Sequence, residues 1–121
     1  MRNGILRLAS GFAFALAATS AFAHAQLEQA VPAVGGTVAP PSEIRLKFSE
    51  GVEPHFSAIA LSAEGGGAVP LGVPSLDPAD PSVLIAKIGK ALAPGLYTVT
   101  WHAVSVDTHK TQGSFSFTVK P

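Results

Sequence analysis

The chain holds four histidines, His24, His55, His102 and His109, and the last of them ends the triplet Asp107-Thr108-His109. Imidazole nitrogen and carboxylate oxygen are common metal donors. An Asp two residues before a His in a loop is more often turn chemistry, however, so this pair alone is a weak signal. His24 adds to it. Export cleavage after Ala23 would make His24 the first residue, and an N-terminal His is a chelate by construction, because its α-amine and its Nδ1 can close one ring on a single ion. With Asp107 and His109 this gives three nitrogens and one carboxylate oxygen, the tetragonal environment expected of Cu(II), with Ni(II) and Zn(II) as weaker competitors. Sulfur is missing: the chain has no Cys and its one Met is Met1, so a Cu(I) site lacks the thiolate and thioether ligands it prefers. The expected cargo is Cu(II), one ion per chain.

Other polar residues have weaker claims. Glu50 has three readings: an acceptor for a ligand N–H, an axial ligand, or a solvated loop charge. His55, a few residues on, reads as an outer partner of the metal or as surface. Glu53 beside Pro54 reads as surface, and Lys110 next to the candidate pair reads as solvated surface or as a holder of a ligand or an anion. His102 follows Trp101 and faces the other side of its strand, which makes it a surface or edge histidine.

The chelate depends on processing. Arg2 and Arg7 precede a charge-free run over 8–23 that closes on Ala21-Phe22-Ala23, a small-x-small cleavage pattern. This reads as a secretory signal over 1–23, removed to leave a domain over 24–121. The run is near the lower limit of roughly 17 to 20 residues for a spanning helix and rich in Ala, so the uncleaved membrane anchor is the lesser reading. A competing frame, Ala23-His24-Ala25, would leave Gln26 first and discard His24. The mature chain is expected in the periplasm, not spanning a membrane, and monomeric.

The bulk composition agrees. A length of 121 residues suits one domain, and with 13% charged residues and zero formal net charge there is no basic surplus for a nucleic-acid backbone. Ten Pro and twelve Gly in a chain that is 47% hydrophobic describe a packed domain cut into short segments, which favours β structure.

The elements that must position these residues follow from period-two alternation. Strands are expected at 43–49 (Ile44, Leu46 and Phe48 inward), 56–62, 83–88, 95–105 and 113–120, with a first strand near 25–30 and a weak one near 68–73. Pro32 with Gly35-Gly36, Pro40-Pro41, Gly65-Gly66-Gly67, Pro78 to Pro81 and Pro94-Gly95 mark the turns. About seven strands suit an all-β, immunoglobulin-like or cupredoxin-like Greek-key β-sandwich, with Trp101 in its core. In an up-and-down count of antiparallel strands, the chain start, the loop at 50–55 and the loop at 106–110 fall at one pole.

These residues resemble the CopC family of periplasmic copper resistance proteins. The resemblance spans 24–121 and rests on three stretches: His24-Ala25-Gln26-Leu27, Phe48-Ser49-Glu50-Gly51-Val52-Glu53-Pro54, and Trp101 with Ser105, Asp107, His109 and Gly113-Ser114-Phe115. It implies a copper-binding sandwich that buffers or passes the metal, often beside a CopD-type inner-membrane partner. By this likeness His24, Asp107 and His109 correspond to Cu(II) ligands and Glu50 to a carboxylate near the metal. The chain departs from some members in lacking a Met-rich stretch for Cu(I). It also stops at Pro121, so a membrane partner is expected to be a separate chain.

Three functions remain distinct at this point. A copper carrier or buffer, not an enzyme, is favoured. A histidine-brace oxidative enzyme shares the N-terminal His but needs aromatic surface to grip sugar, and this chain has a single Trp and a single Tyr. A metal-free interaction domain needs only the sandwich.

Overall fold

In the computed structural model, residues 25–121 are described; the expected signal and His24 lie outside the described residues. The chain forms β1 (Leu27–Val31), β2 (Thr37–Val38), β3 (Glu43–Phe48), β4 (Ala58–Ala63), β5 (Gly67–Val69), β6 (Ser75–Asp77), β7 (Asp80–Lys87), β8 (Gly95–Val104) and β9 (Lys110–Val119). They make a four-stranded sheet, β1-β3-β7-β6, and a five-stranded sheet, β2-β9-β8-β4-β5. All pairings are antiparallel except β2 with β9.

The alternation in the sequence builds this directly. Strand β3 turns Ile44, Leu46 and Phe48 fully inward. From the facing sheet, Tyr97, Val99, Trp101 and Ala103 of β8 and Phe115, Phe117 and Val119 of β9 meet them. Trp101 packs edge-on against Phe48 with ring centroids 5.1 Å apart, and Tyr97 stacks on Phe117 at 5.7 Å while its hydroxyl donates to the Ala93 carbonyl at 2.7 Å. The one Trp and the one Tyr are therefore core residues.

Strand β7 breaks the alternation: Ser82 through Ala86 are all buried. It runs between β3 and β6, so Leu84 and Ala86 face the core while Val83 and Ile85 lie on the outer face, opposite Lys47 and Arg45. Long cationic stems can cover apolar surface while their heads stay wet. Here the heads are paired, Arg45 with Asp77 at 2.5 Å and Lys47 with Asp80 at 3.4 Å.

The architecture differs from the expectation in three respects. Among the described residues there are nine strands rather than about seven, because β2 and β6 are two and three residues long, too short for an alternation to register. The strand expected from Phe56 begins at Ala58, since Pro54–Phe56 forms a 3-10 turn with Pro at its first position, where proline's fixed φ is favourable. The strand order is also not up-and-down: the chain passes from one sheet to the other after β1, β2, β3, β5 and β7.

Gly113 shows how tightly the pole nearest the candidate site is packed. It sits opposite Trp101 in the β8–β9 ladder, and a Cβ there would lie 2.7 Å from the Trp101 Cζ2. The indole cannot retreat, because Phe48 stands against it. Gly113→Ala is expected to destabilise the domain by about 1–3 kcal/mol, the usual cost of overpacking. Urea unfolding of the two proteins measures it, and an unchanged midpoint would contradict the rigid contact.

Candidate metal centre

Strands β8 and β9 are joined by a tight hairpin that carries Asp107 and His109. The Ser105 N–H donates to the His109 carbonyl at 2.9 Å, and the Thr108 N–H to the Ser105 carbonyl at 2.8 Å. Thr108 adopts a left-handed φ of 72°. A turn followed by one left-handed residue is a standard short hairpin, and glycine is the ordinary occupant of that last position. A β-branched residue there is held by its surroundings at some cost in strain.

The surroundings are supplied by Ser105, which is fully buried. Its Oγ donates to Asp107 Oδ1 and lies 3.2 Å from the His109 N–H, which donates to it. The same Oδ1 accepts from the His109 N–H at 3.4 Å and lies 3.1 Å from His109 Nδ1. Three donors on one oxygen favour the ionised form. Led by the Ser105 hydroxyl, opposed by partial burial and helped by the ring and N–H of His109, they push the Asp107 carboxyl down to about 2. The carboxylate is therefore permanently charged at any ordinary pH and fixed against the imidazole beside it, with both side chains open to solvent.

Two further segments arrive at this hairpin. In the loop after β3, the Val106 N–H donates to the Gly51 carbonyl at 3.0 Å and the Glu53 N–H to the Val104 carbonyl at 2.8 Å, around a bridge between Val52 and Ser105. The start of the described chain comes in beside both. The Thr111 hydroxyl donates to the Ala25 carbonyl at 2.8 Å. The Gln26 N–H donates to Ser49 Oγ at 2.8 Å, and the Ser49 N–H returns a bond to the Gln26 carbonyl at 2.8 Å. Glu50, half-buried, is flanked by these contacts, with the chain start on the Ser49 side and the hairpin on the Gly51 side.

Of the residues singled out from the sequence, Asp107 and His109 are thus in direct contact, Glu50 lies in the adjoining loop, and His24 is outside the described residues. Among the described residues no three of His, Asp and Glu form a group able to hold a metal ion. His55 is exposed in the 3-10 turn, and His102 is exposed on the outer face of the five-stranded sheet, opposite Gln112.

Comparison with known proteins places this arrangement in a family. Residues 27–120 match the family model of the CopC domain. The chain belongs to the CopC family. Among similar sequences, Protein YobA of Escherichia coli is 41% identical over 106 residues, covering 87% of this chain and 86% of that one. Copper resistance protein C of Xanthomonas campestris pv. juglandis is 36% identical over 113 residues, covering 89% of each. Among solved structures, PcoC, described as a methionine-rich copper resistance protein from Escherichia coli, superposes with a TM-score of 0.74 at 35% identity, over 81% of this chain and 100% of that one.

Two hydroxyls in this CopC domain carry much of the local geometry yet are inconspicuous in sequence. Ser105 occupies an inward position of the β8 alternation, and that parity was the signal that could have found it: a polar residue at the end of an apolar series needs partners. Thr111 looks like any strand threonine, and only its contact with a residue 86 positions away distinguishes it.

Proposed function

We propose that this CopC domain is exported to the periplasm, begins at His24 after cleavage, and binds one Cu(II) ion as a carrier or buffer in copper homeostasis. Its ligands are the His24 α-amine and Nδ1, His109 and Asp107. The observation that supports this most is the anchoring of Ala25 and Gln26 against the two loops beside Asp107 and His109. In the described structure Asp107 Oδ1 lies 3.1 Å from His109 Nδ1, so the two donors already stand side by side. Glu50 is assigned an outer role, receiving an N–H of a ligand.

Chemistry also favours binding over catalysis. The single Trp and single Tyr of the chain are packed inside the sandwich, so neither can stack on a sugar ring as a polysaccharide-oxidising enzyme would require. The likeness to a methionine-rich copper resistance protein stops at sulfur, since this chain has Met1 alone. That supports Cu(II) over Cu(I). A separate CopD-type membrane protein is the proposed recipient or source of the ion, and the domain acts as a monomer.

Competition titration with Cu(II) on the exported protein tests the assignment. One ion per chain is expected. His109→Ala should weaken binding by roughly 100-fold or more, beyond the 10- to 100-fold typical of losing an outer partner, while His102→Ala should leave it unchanged. Equal effects would show that the wrong histidine has been assigned.

A further inference from the structure

The hydroxyl of Thr111 makes a bond that the sheet itself does not need. Strand β9 is held to β8 by its main chain, with Thr111 paired to Ala103, and a valine would fit the same backbone and nearly the same volume. The hydroxyl instead reaches the Ala25 carbonyl at 2.8 Å. Thr111 lies two residues after His109, at the start of β9 beyond the hairpin. The second anchor of the described chain start, between Gln26 and Ser49, ties it to the loop after β3 and not to β9.

We propose that Thr111 is a positioning residue for the metal site: its hydroxyl registers the chain start against the β8–β9 hairpin before the ion arrives. The proposal rests on the Cu(II) reading given above. A chain terminus frays unless it is tied down, and binding is weakened by whatever fraction of the population is not arranged to bind. Fixing the Ala25 carbonyl reduces that loss, since Ala25 directly follows His24 in the chain. Thr111 touches no metal in this scheme. It sets how often the α-amine and the ring of His24 stand within reach of His109 and Asp107.

The test compares the exported wild-type protein with Thr111→Val, Thr111→Ser and Thr98→Val, the last removing a hydroxyl that meets Ser116 Oγ at 3.2 Å elsewhere on the same sheet. Each is titrated with Cu(II) against a competing chelator, examined by EPR, and melted without metal. Thr111→Val is expected to melt roughly 4–8 °C lower, as the loss of one hydrogen bond implies. It should bind Cu(II) about 10- to 100-fold more weakly, with fewer coordinated nitrogens in the spectrum. Thr111→Ser should restore both affinity and spectrum, and Thr98→Val should alter neither. Wild-type affinity and an unchanged spectrum in Thr111→Val would overturn the proposal while leaving the Cu(II) reading intact. A wild-type protein that fails to bind Cu(II) would overturn the Cu(II) reading and this proposal with it.

Discussion

Adding a single residue ahead of His24 is expected to lower Cu(II) affinity on the order of 100-fold, which corresponds to about 2.7 kcal/mol, without unfolding the domain. The added residue leaves every side chain in place but converts the α-amine to an amide, which has no basic lone pair to offer the ion. The chelate ring opens, and imidazole, His109 and Asp107 remain as a looser set. Folding should survive, because the described chain start is held from Ala25 onward by Thr111 and Ser49 and the added residue lies at a terminus. The comparison is made at one pH with the bound-metal spectrum recorded on both proteins. Intact mass of the periplasmic product is measured first, because a chain starting at Gln26 has lost the chelate altogether. Unchanged affinity and spectrum in the extended protein would remove the N-terminal chelate and leave only a weak loop pair.

How far the site could be read in advance depended on which contacts are periodic. The inward residues of β3, β8 and β9 follow a strict two-residue alternation, and their burial, with Trp101 among them, came out as the pattern implied. The meeting of the loop after β3 with the β8–β9 hairpin was also anticipated, although from the wrong topology. An up-and-down count put them at one pole, whereas here the chain switches sheets between them and the loops are joined by the Val52–Ser105 bridge. Both loops leave the same end of the sandwich, whatever the order of strands within each sheet. What the sequence hid is aperiodic. Thr108 takes a left-handed turn position where a glycine would have announced the turn. Short β2 and β6 offer too few residues for any period. The Ser105 and Thr111 hydroxyls act through partners that only the folded chain brings near.

Copper is expected to leave this protein between about pH 6 and pH 4, before the β8–β9 hairpin responds to acid. Protons compete for nitrogen lone pairs first, since an α-amine has a reference value of roughly 7.7 to 8.0 and imidazole one near 6.5. Below those values each displaced proton lowers apparent affinity about tenfold per pH unit. Asp107 does not join this competition. Its carboxyl lies at about 2 in the folded protein, below its ordinary value of 3.8, so it stays anionic throughout the range in which nitrogen ligands are lost. The sign for folding follows from the same depression. A carboxyl lowered on folding stabilises the hairpin above its unfolded value near 4 and loses that contribution only as pH falls through the folded value near 2. Two acid transitions should therefore separate: a loss of the Cu(II) spectrum in the upper window, then a shift of the Asp107 carboxyl resonance with loosening of the hairpin in the lower one. The carboxyl resonance is followed by NMR on metal-free protein, because Cu(II) broadens nearby signals, and the copper spectrum on the loaded protein over the same pH series. Retention of Cu(II) down to pH 3 would mean that oxygen ligands dominate, and the nitrogen-rich site built on His24 would have to be abandoned.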